Sequence, residues 1–581
     1  MAVKQRVERV KQAFSSKEEF KKFVETKEQG RFFNEDLLPS GPEHRPWRTL
    51  HFFAYYLIMT FSPTSYNLGA TLVSSGLAWW HCIIAAVIGS FILSVIVIFA
   101  SRGAALYHVG FPAYVRASAG VTGSKLFIGV RASVATIYFA TQSYYGGRIT
   151  AVALRCIFGS AWTRIPNHLP ESAGITSANL LAFFIFWLLQ LPFTFVHPRT
   201  IRHLFVVKSV FSTAAFMGVL GWAVHKNHGS LGNFDFGTKQ LHGSAVVWPM
   251  IGAINSVMGA LCPILINQPD ISRYAKRPSQ GTWSQAIGIL LSKVIVMFVS
   301  AGTTSACIGV VGKAYWNVWD LYDAILTQFW GPTARAGIFF ASFGMVLAIL
   351  ATNVGSNSLP VGADITGMFP RYLNIVRGQV LCAIMAPLCV PWKIIASAAT
   401  FLTFLGCYTV FLMPICGIMV LDFYVIRRGN IHVPSLYTLA EGTPYSYYKG
   451  WNIRAVVAWA CGVAFVVHGV AGNLDPDSVN TASKNMYKLG FLLSFFMGMF
   501  LYYVFCQIWK PRLYPQWAID RGLIDEPLKY EWLAPSEGFL PGENYDTIRG
   551  VLTSEHDFGR TGSSSEQRDI KEDYKEEVLT V

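Results

Sequence analysis

The chain has 581 residues, of which 52% are hydrophobic and only 14% charged, whereas ordinary soluble domains carry about 25% charged residues. This composition excludes an ordinary soluble enzyme or nucleic-acid reading domain, even though the formal net charge is +14. Apolar runs of about 20 residues, the length that a helix needs to cross a bilayer core, recur along nearly the whole sequence. The sequence therefore predicts an all-α integral membrane protein.

About a dozen transmembrane helices are predicted, and we call them spans 1 to 12 in chain order. The runs are long and lack the alternation of barrel strands, so each is expected to satisfy its own backbone as a helix. The spans cover approximately residues 50–76, 82–100, 127–158, 177–195, 204–224, 246–268, 284–311, 335–357, 376–392, 396–426, 453–472 and 486–508.

Charge along the chain predicts the topology. The first 49 residues are polar, hold eleven Lys and Arg, and show no cleavable signal. Basic residues recur in alternate loops, which is the positive-inside pattern and places both termini in the cytosol. The expected organisation is a cytosolic N-terminal tail (1–49), spans 1–5 (50–224), spans 6–10 (246–426), spans 11–12 (453–508) and a cytosolic C-terminal tail (509–581).

The two five-span blocks have nearly equal length and carry matching interruptions. Span 1 is interrupted at Ser62-Pro63-Thr64, and span 6 at Gly259 and then Cys262-Pro263. Paired interruptions are typical of inverted-repeat transporters, whose substrate binds where broken helices expose backbone groups. Two ordinary proline kinks, which membrane helices tolerate, are the alternative explanation.

Polar side chains within the spans indicate a cavity for a flat, amide-bearing compound. Tyr138 and Gln142 lie four residues apart on one face of span 3, where they offer an aromatic plate and an amide. The alternative is a polar seam between helices. Span 8 ends in Thr352, Asn353, Ser356, Asn357 and Ser358, which should line the same cavity unless the helix already emerges into solvent there.

Ionisable residues within the spans are functional candidates, because an unpaired charge in hydrocarbon is costly. Lys208 in span 5 is either snorkelling to the membrane surface or functional. Lys293 lies too deep in span 7 for that and should face the interior, for packing or for coupling. Arg/Asp sets near helix ends, including Asp270 and Asp364, are expected to fix loops. All ten cysteines lie in or beside apolar spans without metal-ligand spacing, so neither a zinc site nor a disulfide framework is expected.

Five motifs and one asparagine support a family assignment. They are residues 61–67 (FSPTSYN), 267–275 (NQPDISRYA), 351–353 (ATN), 369–372 (FPRY) and 390–393 (VPWK), together with Asn357. In this order, over about residues 35–455, they resemble the nucleobase-cation-symport family 1 and specifically its fungal uracil and allantoin permease branch. The resemblance implies a five-plus-five inverted-repeat core of the LeuT type with two extra helices, alternating access, and uptake of purine- or pyrimidine-related solutes or of certain vitamins.

The resemblance also implies a substrate site. Its positions match Tyr138, Gln142, Leu261 and Asn357, with Thr64 and Gly259 at the interruptions. Gln142 and Asn357 agree with the family pattern, whereas tryptophan is usual at the first aromatic position and tryptophan or phenylalanine at the second. Because Leu261 offers only an apolar wall, we expect weak binding of plain uracil and a preference for a bulkier or less aromatic compound.

The coupling ion implied by the resemblance is the proton. Sodium-dependent relatives use a threonine that matches Thr352, beside Pro63 of the span 1 interruption, and a serine whose position is Ala351 here. Losing that oxygen weakens a sodium site. The fungal relatives are similar to proton symporters and carry a lysine matching Lys208; Lys293 is a further coupling candidate. No cofactor is expected.

The expected function is proton-coupled import of a nucleobase-related compound across the plasma membrane. The resemblance further implies that ubiquitin ligases or endocytic adaptors act on the tails, for which the candidate acceptors are Lys4, Lys11, Lys571 and Lys575. Uptake of a vitamin such as thiamine or nicotinamide riboside, or a sensor that binds without transport, are the alternatives. The sequence holds no cluster with the spacing of an enzyme active site.

Overall fold

The computed structural model describes residues 25–26, 30–195, 202–232, 241, 243–474, 477–524, 538–540 and 543. Within these ranges the regular secondary structure is helical, which confirms the predicted all-α class. Lys4, Lys11, Lys571 and Lys575 lie outside the described residues.

The helices match the predicted spans closely. In chain order, spans 1 to 12 are Thr49–Thr60 with Pro63–Ser74, Trp79–Tyr107, Ser124–Phe158, Ser177–Thr194, Arg202–Lys226, Val247–Ile266, Trp283–Val311, Pro332–Asn353 with Leu359–Met368, Ile375–Met385 with Pro391–Ile394, Ala398–Leu421, Ile453–Leu474 and Gly490–Ile508. A short helix, Val318–Gln328, lies between spans 7 and 8, and we call it the capping helix.

Length and composition identify most of these helices as membrane spans. Among the described residues, nine helices are long and apolar enough to cross a bilayer, and the bent pair of span 9 makes a tenth. Span 1 falls outside this test because it consists of two halves of 12 residues each. Span 3 falls outside it because polar side chains interrupt its 35 residues. These two helices complete the predicted dozen.

Span 1 breaks where the sequence predicts it. Ser62 adopts an extended conformation, and Pro63 begins the second half-helix. Proline is favoured at this first position because the N–H that it lacks would have no partner inside the helix. The break places Thr64 and Ser65 in the first turn of the new half-helix, where backbone N–H groups have no intrahelical acceptor.

The predicted interruption of span 6 is wrong. The helix Val247–Ile266 continues through Gly259 and Pro263, and a separate short helix, Gln268–Ser272, follows it. Pro263 has no N–H for the carbonyl of Gly259, four residues earlier. The hydroxyl of Tyr408 in span 10 donates to that carbonyl at 2.7 Å instead. A side chain from another span thus satisfies the freed carbonyl, and the helix remains continuous.

Span 8 extends beyond its predicted end at residue 357. A π-helical turn, Val354–Ser358, joins Pro332–Asn353 to Leu359–Met368. The polar residues predicted at the helix end therefore lie within the helix, and all of them are buried. Single π-helical turns within α-helices are frequent at functional sites.

The packing of the spans repeats after five. Span 1 packs on span 7, and its counterpart, span 6, packs on span 2; likewise spans 3 and 4 pack together, as do spans 8 and 9. The self-related pairs 2 with 7 and 3 with 8 are also in contact. Such pairing is expected of two blocks related by a pseudo-two-fold axis, as in inverted-repeat transporters.

Candidate functional site

The break in span 1 faces span 3, where an amide of the predicted site reaches it. The side-chain nitrogen of Gln142 donates to the hydroxyl of Thr64, and both residues are buried. The side-chain oxygen of Gln142 is also buried and has no hydrogen-bond partner among the described residues. A buried acceptor without a partner is costly, so this oxygen is well placed to accept an N–H from a ligand.

Tyr138 lies one helical turn before Gln142, within an aromatic group that sequence reasoning missed. Its ring centroid lies 5.0 Å from that of Phe404 and 4.7 Å from that of Tyr408. Its hydroxyl donates to the hydroxyl of Tyr408, which in turn donates to the carbonyl of Gly259. Phe404 and Tyr408 are four residues apart in span 10, a spacing that places them on one helical face and was visible in the sequence.

Leu261 is buried in span 6, two residues after Gly259. Its role as an apolar wall of the substrate site stays a prediction. Three spans therefore contribute to this region: span 3 through Tyr138, span 6 through Gly259 and Leu261, and span 10 through Tyr408.

The amides of span 8 form a connected chain. The side-chain nitrogen of Asn357 donates to the side-chain oxygen of Asn353 at 2.9 Å. Asn353 donates to the carbonyl of Phe139, the hydroxyl of Ser143 and the side-chain oxygen of Gln190, at 2.9–3.1 Å. This chain fixes span 8 against span 3 on both sides of Gln142 in sequence, and thereby holds Asn357 in the π-helical turn.

Lys208 does not snorkel to the membrane surface. It is fully buried, and its ammonium nitrogen lies 2.6 Å from the hydroxyl of Thr352, to which it donates. Thr352 is the position that the resemblance relates to a sodium ligand, so its hydroxyl oxygen is already engaged by a cationic group.

Lys293 is also fully buried, in span 7. Its nitrogen lies 3.5 Å from the hydroxyl of Ser65, at the limit of a hydrogen bond. Ser65 directly follows Thr64, so Lys293 lies beside the same helix break as Gln142.

Buried charges close one end of the central region, which we call the Arg131 end. Arg131 donates to Asp364 at 2.6–3.0 Å and to Asp270 at 2.7 Å, and its guanidinium lies 3.8 Å above the ring of Phe111. The sequence instead predicted that Asp270 and Asp364 fix loops through other arginines. The pairs join span 3 to the segment after span 6 and to span 8, because Asp270 and Asp364 project inward.

The N-terminal segment 30–40 covers the same end. Arg273 donates to the carbonyls of Asp36 and Leu38 and to the hydroxyl of Ser40, at 2.6–3.1 Å. On the other side, Asn34 donates to the carbonyls of Pro370 and Leu373. The segment therefore connects the chain after span 6 to the loop after span 8.

The capping helix closes the opposite end. The side-chain oxygen of Asn67, in span 1, accepts from the backbone N–H of Val318 at 3.0 Å. From span 3, Arg148 pairs with Asp320 and Arg155 pairs with Asp323. Elements of the chain thus cover the central region at both ends.

A lateral cavity of about 660 Å³ lies away from these residues. It is lined mainly by apolar residues of spans 5 and 8 and of the capping helix, including Ala215, Gly218 and Ala341. None of the predicted site residues lines this cavity, so we do not identify it with the substrate site.

Comparison with known proteins gives consistent results in sequence. A family model described as "Permease for cytosine/purines, uracil, thiamine, allantoin" matches residues 39–498. The allantoin permease of Saccharomyces cerevisiae is 34% identical over 479 residues, which cover 82% of this chain and 75% of that protein. The uracil permease of the same yeast is 33% identical over 482 residues, covering 81% of this chain and 76% of that protein.

Among solved structures, Mhp1, a nucleobase-cation-symport-1 family transporter in a closed conformation with bromovinylhydantoin bound, has a similar fold. Its TM-score is 0.66 at 21% sequence identity, and the match covers 87% of this chain and 99% of that chain. At this identity the likeness concerns the fold alone. It confirms the predicted all-α, LeuT-like architecture.

Proposed function

Since this chain belongs to the nucleobase-cation-symport family 1, in its fungal uracil and allantoin permease branch, we propose that it imports an allantoin- or uracil-like compound together with protons. The protein is a multi-pass secondary transporter of nucleobase-related compounds and not an enzyme. The choice of compound, the coupling ion and the residues responsible are our proposals.

The observation that carries the substrate proposal is the buried side-chain oxygen of Gln142, which has no hydrogen-bond partner in the described part of the chain. It accepts an N–H of the heterocycle, while Asn357 binds the amide edge from span 8. Tyr138 packs against one face of the ring. These groups present donors and acceptors to a compound with alternating N–H and C=O groups, which is the chemistry of ureides and pyrimidinones.

Leu261 supports allantoin over uracil as the preferred compound. An aromatic residue here would stack on a flat ring, and such a pair contributes about 0.5–1.5 kcal/mol beyond simple burial. Leucine forgoes that gain but accommodates a puckered, less aromatic ring. A ureido substituent also supplies more N–H donors for hydrogen bonds to Gln142 and Asn357 than uracil does.

Lys208 supports the proton as coupling ion. A lone ammonium buried in a membrane span is costly unless it is paired, and its hydroxyl contact with Thr352 carries no compensating charge. Protonation and deprotonation of this amine during the cycle would change the attraction between spans 5 and 8. The absence of a side-chain oxygen at Ala351, together with the engagement of Thr352, argues against a sodium ion there.

The cycle that we propose is alternating access around this fixed site. Opening of the capping-helix end admits substrate and proton, and opening of the Arg131 end releases them. The positive-inside pattern makes the Arg131 end cytosolic, so that both termini are cytosolic and transport is import at the plasma membrane. Tail lysines such as Lys4 and Lys571 would then be accessible to ubiquitin ligases.

A vitamin-type compound is the second candidate, because the matching family model includes thiamine. Tyr138 would stack on its aromatic ring in the same way. A sensor that binds the compound without transporting it is the third.

Uptake in cells that lack their own permeases tests the proposal. Labelled allantoin, uracil, uridine, thiamine and nicotinamide riboside are supplied at pH 5, with and without sodium and with a protonophore. We expect saturable uptake of allantoin that is independent of sodium and abolished by the protonophore. Asn357→Ala should abolish it, whereas Asn485→Ala, on the remote helix Thr481–Lys488, should not.

Each alternative has its own result in this experiment. Uptake that requires sodium would refute proton coupling, and faster uptake of thiamine than of allantoin would establish the second candidate. Binding of allantoin by the purified protein without uptake by cells that display it at the surface would indicate a sensor.

A further inference from the structure

Lys293 is a buried lysine without a carboxylate partner among the described residues. Of the buried arginines, Arg131 and Arg427 pair with carboxylates, whereas Arg116 donates to the carbonyl of Leu436 and lies over the ring of Tyr437. Lys293 is just as buried, yet its nearest polar partner is the hydroxyl of Ser65, and no charged side chain among the described residues interacts with it. An ammonium in this position is shielded from bulk solvent and is not stabilised by an anionic side chain of the described residues.

The carboxylates of the neighbouring elements are paired elsewhere. Span 7 packs against spans 1, 2 and 5, and less extensively against the turn Pro278–Gly281 and the capping helix, whose Asp320 and Asp323 pair with Arg148 and Arg155. Span 1 presents Tyr56 and Tyr66, and span 5 carries the second buried amine, Lys208. Two contacts mark the stretch where span 2 packs on span 7: Ser94 donates to the carbonyl of Ala286, and the ring of Trp79 contacts that of Phe298. The titratable residues of span 2 in this stretch are His81 and Cys82, which lie near Trp79.

The position of Ser65 adds to this effect. Ser65 is the third residue of the half-helix that begins at Pro63, and the first turn of a helix carries a partial positive charge. The partial charge of the helix terminus disfavours the protonated, positively charged form of Lys293. Burial and this partial charge therefore both favour the neutral amine over the ammonium, and a neutral amine can take up a proton.

We infer that Lys293 is a second proton acceptor, so that two protons accompany each substrate molecule. This inference rests on the proposed function, in which Lys208 is the first. Each amine takes a proton from a hydronium ion on the entry side, which leaves water, and returns it to water on the exit side. A neutral substrate then moves with two positive charges.

The helix break couples this amine to the substrate. Thr64 holds the side chain of Gln142, and Ser65, the next residue, contacts Lys293. When a substrate engages Gln142, the first turn of the half-helix has to adjust, and the contact between Ser65 and Lys293 changes with it. Substrate binding and protonation of Lys293 thereby affect each other, as linkage requires.

Charge movement per transported molecule tests the inference. The probe is the neutral compound of the uptake panel (allantoin, uracil or uridine) that the unaltered protein imports fastest, because thiamine and nicotinamide riboside carry a charge of their own. Current and labelled flux are recorded together under voltage clamp. We expect two charges per molecule for the unaltered protein and one for Lys293→Met. The matched control is Lys313→Met, which alters a lysine just beyond the end of span 7 and should leave two.

Two charges per molecule in Lys293→Met would overturn the inference. If that variant reaches the surface but transports nothing, binding to the purified proteins decides: calorimetry in buffers of different ionisation enthalpy counts the protons taken up with the same probe. One proton fewer in Lys293→Met than in the unaltered protein supports the inference, and equal uptake refutes it.

Failure of this inference is distinguishable from failure of the proposed function. Protonophore-sensitive uptake with one charge per molecule in the unaltered protein removes only the role of Lys293. Sodium-driven uptake removes the proposed function itself. Uptake that depends on chloride, and loses this dependence in Lys293→Met, would make Lys293 part of an anion site and would also overturn the inference.

Discussion

Replacing Tyr408 by phenylalanine tests how the continuous span 6 is held. The hydroxyl of Tyr408 donates to the carbonyl of Gly259 and accepts from the hydroxyl of Tyr138. Tyr408→Phe therefore leaves two buried polar groups without a partner. Each such group costs about 1–3 kcal/mol, so we expect a loss of at least about 2 kcal/mol in the free energy of unfolding.

A second substitution separates the two losses. Pro263 is the reason that the Gly259 carbonyl lacks a helical donor, and Pro263→Ala restores an N–H four residues on. In the Pro263→Ala background, Tyr408→Phe leaves only the hydroxyl of Tyr138 without its hydrogen-bond partner. The double-mutant cycle should therefore show a coupling of about 1 kcal/mol between two residues on different spans.

The assay is thermal unfolding of the four purified proteins in one detergent, with uptake measured in parallel. Tyr408→Phe should lower the unfolding temperature more in the unaltered background than in Pro263→Ala. Phe404→Leu, which removes an aromatic neighbour without touching the hydrogen bonds, is the control and should show equal effects in both backgrounds. Additive effects of Tyr408→Phe and Pro263→Ala would refute the explanation of the uninterrupted helix.

Three further predictions concern the site and its ends. Gln142→Ala should weaken substrate binding at least tenfold, because it removes the acceptor, whereas Gln142→Glu keeps an acceptor and should bind better than the alanine variant. The half-saturation concentration of uptake measures both effects, and an unchanged value in Gln142→Ala would contradict the assignment. Asp364→Asn should cost about 3–5 kcal/mol in the free energy of unfolding, because Arg131 stays buried with one carboxylate fewer. Asp320→Asn, at the partly exposed pair with Arg148, should cost under about 1 kcal/mol. Equal unfolding temperatures of the two variants would disprove this ranking. Burial, with the charges of two nearby arginines, lowers the pKa of His108 from 6.5 to about 4. Below about pH 6.5 the unfolded chain therefore binds a proton at this histidine, whereas the folded protein binds it only near pH 4. Stability should therefore fall from pH 6.5 towards pH 4, by about 2 kcal/mol at pH 5, and His108→Asn, which tolerates the same left-handed backbone, should reduce this loss in melting curves at pH 7.5 and pH 5.

The span positions could be predicted because hydrophobic runs in a bilayer are local signals. Span 3, predicted at 127–158, is Ser124–Phe158, and the break of span 1 occurs at the predicted Ser62-Pro63. Proline at the first position of a half-helix and a preceding extended residue are properties of a few neighbouring residues, which the sequence carries in full.

The missed features depend on partners far along the chain. Span 6 remains continuous because of a hydroxyl 149 residues away, and no local pattern near Pro263 encodes that. Arg131 selects Asp270 and Asp364, 139 and 233 residues away, over the arginines that lie closer to those carboxylates in sequence. Spacing within one helix predicts which side chains share a face, but it does not predict which helix that face will meet.

The two closed ends differ in what holds them, and this difference bears on the direction of transport. At the Arg131 end the paired groups are almost fully buried, with Arg131 1% and Asp364 0% exposed, whereas Asp320 and Asp323 at the capping helix are 39% and 51% exposed. Exposed pairs contribute about 0–1 kcal/mol, but separating a buried pair costs several times more unless water reaches both partners. The capping-helix end should therefore open more readily in the empty protein. If that end faces outward, as the positive-inside pattern predicts, the empty carrier rests ready to load from outside, and the Arg131 end opens only when substrate and protons offset its ion pairs.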